Sequence, residues 1–221
     1  MSWNECLYAY HKKYGGRFLA GEEDDGLLAL TWKDRPLVAD QGMEPGRYGP
    51  LFHPRARIPV TLAKPYKLTI GAEKALSGGV NAVLKVTSAV GGYSADFGYP
   101  EVTKKRLIRT ENVPFTKLVL GSLDLRSALL ACPRDRVEVR PGPGEEGLHL
   151  ITVSTEAALN AGLEDDNGWY LGTNGSYTEI YGSEEEKAKQ ARRVEEEFFP
   201  RLDRLLDLAR AAYNAVTQWP M

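Results

Sequence analysis

Residues 136–154 read RVEVRPGPGEEGLHLITVS. Whether the central GPGEEG, residues 142–147, is a phosphate-binding turn or the tip of a hairpin decides the fold. Its spacing fits G-x-G-x-x-G, which works when the glycines lie between a strand and the N-terminus of a helix, so that backbone N–H groups and the helix dipole meet a pyrophosphate. RVEVR alternates as a strand should. LHLITVS, however, is too rich in β-branched residues and too poor in helical spacing to be the required helix. Pro143 also removes a donor, and Glu145 with Glu146 would set two negative charges beside the phosphates. The stretch is therefore expected to be a β-hairpin, Arg136–Arg140 pairing with Leu148–Ser154, and no cofactor is expected.

Working upstream, SLDLRSALLAC reads as a helix stopped by Pro133, NVPFTKLVLG as a short helix with Pro114 in its first turn, and KKRLIR as a strand. Residues 17–70 hold short apolar runs separated by turn residues: FLAG, GLLALTW, RPLVAD and RIPVTLAKPYKLTI. There Ile58, Val60 and Leu62 alternate with Arg57, Pro59 and Thr61, which gives strands one dry and one wet face. Pro59 signals an edge strand or a bulge, because it cannot donate to a ladder. QGMEPGRYGPLFHP, residues 41–54, reads as a loop from its Gly and Pro content, and Glu22, Glu23, Asp24 and Asp25 as a solvated hairpin tip. At the N-terminus, Ser2 and Glu5 form a capping box ahead of Trp3, Cys6, Leu7 and Tyr10 at helical spacing, with a stop at Gly15-Gly16. Residues 72–100 are ambiguous: AEKALSGG suits a short helix and VNAVLKVTSAV a strand.

Downstream of Glu156 comes a polar and aromatic insertion, GLEDDNGWYLGTNGSYTEIYG, and then a second capping box at Ser183 and Glu186. A long charged helix comes next, with Val194, Phe198, Leu202, Leu205, Leu206, Ala209, Tyr213 and Val216 in one stripe; Pro200 either kinks it or starts a second segment. The expected fold is α+β: a mainly antiparallel sheet, a short N-terminal helix, two short central helices and a long C-terminal helix packed on the sheet.

The 221 residues, 43% hydrophobic and 26% charged, suit a single α+β domain over 1–221; two halves, 1–95 and 96–221, are the alternative division. A formal net charge of −2 provides no field to recruit nucleic acid or anionic lipid. Cys6 and Cys132 form no motif and read as buried thiols of a reducing compartment. The chain opens without a signal-peptide run and contains no window of roughly 18 apolar residues, so a cytoplasmic protein with no membrane span is expected.

Residues 97–142, FGYPEVTKKRLIRTENVPFTKLVLGSLDLRSALLACPRDRVEVRPG, carry a G-x-P-x-apolar turn, a basic strand, a short helix, an L-x-x-x-L-R-x-x-L-L helix and a hairpin. Gly98, Pro100 and Val102 occupy the turn, Leu107 and Ile108 the strand, and Leu120, Leu125, Arg126, Leu129 and Leu130 the helices. In this the segment resembles uncharacterised bacterial domains of unknown function, many of which carry membrane segments. The resemblance implies a structural unit whose repeated apolar positions are core, and it implies no activity.

Signs of chemistry are sparse. His11, His53 and His149 lie in three separate segments without metal-ligand spacing, and Asp165, Asp166 and Asn167 before Gly168 lack the alternation of a calcium loop, so no metal is expected. No nucleophile elbow, S-x-x-K pair in context or phosphate loop is present. Lys104, Lys105, Arg106 and Arg109 form the densest basic cluster; a phosphate-contacting strand competes there with a solvated strand face, and nucleic acid is disfavoured. Trp169, Tyr170, Tyr177 and Tyr181, in the Gly- and Asn-rich insertion, are the leading candidate binding residues, against the alternative that they cap the core. The function expected is a noncatalytic domain that binds a protein partner or itself through this insertion or the C-terminal helix. A small-ligand cavity between sheet and helix is one alternative, and a hydrolase assembled around His53 or His149 is another.

Overall fold

Gly142 N–H donates to Leu148 O at 2.8 Å and Leu148 N–H to Glu145 O at 3.2 Å, so the chain reverses across residues 142–147. Gly144 and Gly147 take left-handed φ values of 96° and 80°. At Gly147 there is a second constraint: Leu62 N–H donates to its carbonyl at 2.9 Å, and a Cβ there would lie 2.9 Å from Leu62 O. The chain leaves this turn as a strand with alternate residues buried, Leu148–Thr155, and not as a helix. GPGEEG is a hairpin turn.

A computed structural model describes residues 1–22, 24–46, 49–73, 96–155, 159, 170–171, 177–178 and 184–220. Its strands are β1 (Arg17–Leu19), β2 (Leu27–Trp32), β3 (Arg35–Gly46), β4 (Gly49–Thr61), β5 (Leu68–Glu73), β6 (Arg106–Thr110), β7 (Asp135–Pro141) and β8 (Leu148–Thr155), with a short pair β9 (Tyr170–Leu171) and β10 (Tyr177–Thr178). Its helices are α1 (Trp3–Tyr14), α2 (Pro100–Thr103), α3 (Val113–Gly121), α4 (Leu123–Ala131), α5 (Glu184–Arg193) and α6 (Phe199–Thr217), the last two joined by a π-helical segment, Val194–Phe198. The fold is α+β: an eight-stranded antiparallel sheet in the order β1-β2-β3-β4-β8-β7-β5-β6, with the short N-terminal, central and long C-terminal helices.

Three expectations need correction. Of residues 41–54, expected to be a loop, 41–46 and 49–54 are strand, because β3 runs on to Gly46 and β4 starts at Gly49, while 47 and 48 lie outside the described residues. The prolines that suggested a loop each remove only one donor, and a hairpin this long survives those losses. Pro59 does not mark an edge: β4 lies between β3 and β8 in the sheet. The acidic tip between β1 and β2 is not simply solvated, since Asp24, at φ 59°, turns its carboxylate onto the start of α1. Of residues 72–100, those from 74 to 95 lie outside the described residues, as does Ser183.

The chain divides into two compact units, 1–56 with 155–206 and 57–154 with 207–221. In the first, α1 lies against the π-helical segment and the start of α6. Fully buried Trp3 meets Phe198 edge-on at 5.8 Å, and Tyr10 meets Phe199 at 5.1 Å while its hydroxyl donates to Asp203 Oδ1 at 2.5 Å. The sequence accounts for the π turn. Pro200 has no N–H, and in a regular α-helix its ring would press on the carbonyl four residues back. Widening the helix just before it, with Phe199 N–H donating to Val194 O, absorbs the proline without breaking the helix.

In the second unit, β5 pairs with β7 (Ile70 opposite Val137) and with β6 (Ile70 opposite Ile108). Asn112 caps α3 and Ser122 caps α4. Val102, Ile108, Leu120, Leu125 and Leu129 are buried, while Leu130 is exposed. Buried Arg106 ties these elements together. Its Nη1 donates to Gly71 O (3.0 Å) and Asp135 O (2.7 Å), and its Nη2 to Leu129 O (2.6 Å) and Cys132 O (2.7 Å). The last two bonds put a cation on the carbonyls that end α4, where the helix dipole is negative.

Candidate functional site

The aromatic insertion is only partly described. Tyr170 and Tyr177 lie in the β9–β10 pair, in which Tyr177 stands opposite Leu171 and Thr178 opposite Tyr170. Trp169 and Tyr181 lie outside the described residues.

The histidine named as a catalytic candidate in the second unit is held by backbone. His149 is buried; its Nε2 accepts from Tyr66 N–H at 3.0 Å, which puts the ring proton on Nδ1, 2.9 Å from Gly147 O. Neither nitrogen is left to relay a proton, and the ring instead fixes the hairpin turn against the approach to β5. Beside it runs a hydroxyl chain: Tyr66 Oη to Thr116 Oγ1 at 2.8 Å, then Thr116 Oγ1 to Thr110 Oγ1 at 2.8 Å. Burial pushes the Tyr66 hydroxyl up to about 12, so it remains a neutral phenol that joins the approach to β5 to α3. Burial likewise pushes the Cys6 thiol up to about 12, which keeps it out of nucleophilic chemistry. Among the described residues no three His, Cys, Asp or Glu side chains converge as a metal site would require.

The basic cluster separates. Arg106 is buried on its carbonyls, where burial lowers its pKa against the opposing pull of Glu73 and Asp135, while Lys104, Lys105 and Arg109 remain exposed.

The start of α1 gathers two carboxylates. Ser2 N–H donates to Glu5 Oε2 (2.7 Å) and Glu5 N–H to Ser2 Oγ (3.2 Å), while the Asp24 oxygens accept from Trp3 N–H and Asn4 N–H at 2.7 Å each. Glu5 is 4% exposed, and its Oε1 has no hydrogen-bond partner. Burial raises its pKa above 4.5, Asp24 adds to the rise, and the Ser2 bonds and the N-terminal ammonium oppose it. A raised carboxyl pKa means that the folded chain binds this proton more tightly than the unfolded one does. The resulting stabilisation is full below 4.5 and is lost as pH climbs through the folded value. Urea denaturation at several pH values is therefore expected to show the wild type losing stability relative to Glu5→Gln as pH rises above 4.5. A difference that does not change with pH would refute it.

The most exposed apolar pair lies on the β3–β4 hairpin. β2 pairs with β3 only as far as Leu28 opposite Ala39, so β3 from Asp40 onward runs past it. β3 ends at Gly46, β4 starts at Gly49, and the two are neighbours in the sheet; counting back from those ends sets Asp40 opposite Arg55 and Met43 opposite Phe52. The ion pair agrees with that register: Arg55 Nε and Nη2 lie 2.6 and 3.2 Å from the two Asp40 oxygens. So does Gly42, where a Cβ would stand 2.9 Å from Arg55 Nη1. On the other face Met43 is 68% exposed and Phe52 47%. The sequence held a signal for this pairing in the equal spacing of Asp40 from Gly46 and of Arg55 from Gly49, but the prolines outweighed it. By contrast most of the stripe of the C-terminal helix is occupied within the chain: Val194, Phe198, Leu202, Leu205, Leu206, Ala209 and Val216 are buried, and Tyr213 is half-buried.

Set against known proteins, the chain matches no family model, no curated protein and no solved structure.

Proposed function

We propose that the chain is a noncatalytic binding domain that engages a protein partner or a second copy of itself through the β3–β4 hairpin. The observation that carries this is the exposed cross-strand pair Met43 and Phe52 on the β3–β4 hairpin, whose opposite face is pinned by the Asp40–Arg55 ion pair. Covering such side chains is worth about 1.5–3 kcal/mol each, and a stiff hairpin gives up little conformational freedom on docking. The burial of most of the C-terminal helix's apolar stripe favours the hairpin over that helix as the surface.

The double variant Met43→Asp, Phe52→Asp tests it, because both side chains are exposed and the fold does not need them. Sedimentation velocity over a concentration series, together with a photo-crosslinking amino acid at position 52, is expected to show self-association or a specific adduct that the variant loses while its melting temperature is unchanged. A chain that stays monomeric and captures no protein from its source cells removes the reading.

A further inference from the structure

The opposite edge of the sheet has a different character. β6 is its last strand. It pairs with β5 through Leu68 opposite Thr110, Thr69 opposite Arg109 and Ile70 opposite Ile108, and among the described residues its other side pairs with nothing. A row of backbone donors and acceptors is open there, with no proline to interrupt it.

The side chains on and beside this strand are sorted by the pleat. Arg106 and Ile108 point into the core, whereas Leu107 is half-buried and Arg109 exposed on the other face; Lys104 and Lys105 are exposed just ahead of the strand. Several arginines elsewhere close onto carboxylates: Arg55 on Asp40, Arg126 on Glu101, Arg140 on Glu138, Arg193 and Arg201 on Glu197, Arg210 on Asp207. Lys104 and Arg109 have no such partner among the described residues, and Lys105 stands 3.9 Å from Glu73. In a chain of net charge −2, three exposed cations thus stand along and beside one strand edge.

Cations on an edge strand normally bar strand addition. They bar some strands and not others. A second β6 would set Arg109 and the lysines against their own copies, and like charges across a ladder destabilise it. A neutral strand would leave them without compensation. An acidic strand pairs with them and still makes the backbone ladder.

We propose that β6 is a docking edge for an extended acidic segment of a partner protein, which adds as a further strand with its acidic residues on the Arg109 face, its apolar ones on the Ile108 face and further acid near Lys104 and Lys105. Recognition combines ladder hydrogen bonds with charge, as in other strand additions. It does not depend on the β3–β4 hairpin, which belongs to the other unit.

Fluorescence anisotropy with the full chain and a fluorescein-labelled alternating Glu-Val peptide tests it. Saturable binding is expected, with none for the matching Lys-Val peptide. Lys104→Glu with Arg109→Glu is expected to weaken it by about tenfold or more. N-methylation of alternate residues of the probe, which blocks the ladder but keeps every charge, is expected to weaken it by about tenfold or more for one of the two alternating sets. No saturable binding, affinity unchanged by the charge reversal, or affinity unchanged by N-methylation of either set would each overturn the proposal. The last comparison uses the unaltered chain, so it stands even if the double variant folds poorly.

Discussion

Arg106→Ala is expected to lower the stability of the protein by about 4 kcal/mol or more, because it removes a charged donor from four backbone carbonyls in one step. Gly71, Asp135, Leu129 and Cys132 belong to β5, β7 and the end of α4, and Arg106 is 4% exposed among them. Leu129 O and Cys132 O also accept from Cys132 N–H and Asp135 N–H, so what is lost is a set of charge-assisted bonds, each worth about 1.5–3 kcal/mol. Arg106→Lys tests geometry separately from charge. An ammonium carries the charge but not the planar fork that serves two carbonyls from each terminal nitrogen, so it should recover only part of the loss. Urea denaturation followed by circular dichroism reads both. A loss under about 1 kcal/mol for alanine would mean that the carbonyls find other donors and that the arginine does not tie these elements together.

Trp3→Ala is the second large effect, expected at about 3–5 kcal/mol. Trp3 is fully buried, its ring set edge-on to Phe198 at 5.8 Å and its Nε1–H donating to Gly26 O at 2.9 Å. Around it the start of α1 is fastened to the β1–β2 turn: Asn4 Nδ2 donates to Gly21 O and Gly26 N–H to Asn4 Oδ1. Removing the indole opens a cavity between α1 and the π-helical segment and also frees the turn. Trp3→Phe keeps most of the ring and leaves Gly26 O without its donor, so its cost should fall to about 1–3 kcal/mol. If phenylalanine proves as damaging as alanine, the hydrogen bond and not the packing dominates this core.

Local patterns that need few partners were legible. The Ser2/Glu5 capping box, Pro114 in the first turn of one central helix, and the alternation of RVEVR and LHLITVS each announce one conformation within a few residues, and the structure agrees with them. The features that the sequence hid depend on distant partners. Arg106 sits in a run of basic residues and looks like surface, and only the convergence of β5, β7 and α4 turns it inward. Residues 41–54 carry enough Gly and Pro to look like a loop, yet Arg55 and Asp40 lock them as a ladder. The candidate site was least legible, because no chemical motif marks an exposed Met43 and Phe52. Their exposure is a property of the hairpin and not of the residues.

The π turn at Val194–Phe198 inserts one residue into the period of the C-terminal helix, and one residue is about 100° of rotation. Two adjacent phenylalanines can then serve one neighbour: Phe198 meets Trp3 near the start of α1, and Phe199 meets Tyr10 two turns further along. The insertion also resets the phase between the helical turns on its two sides. α5, nearly all charge, and α6, with its apolar stripe, share a backbone but not a common face, so changes in the length or sequence of α5 need not be felt as rotation by the helix that the core depends on.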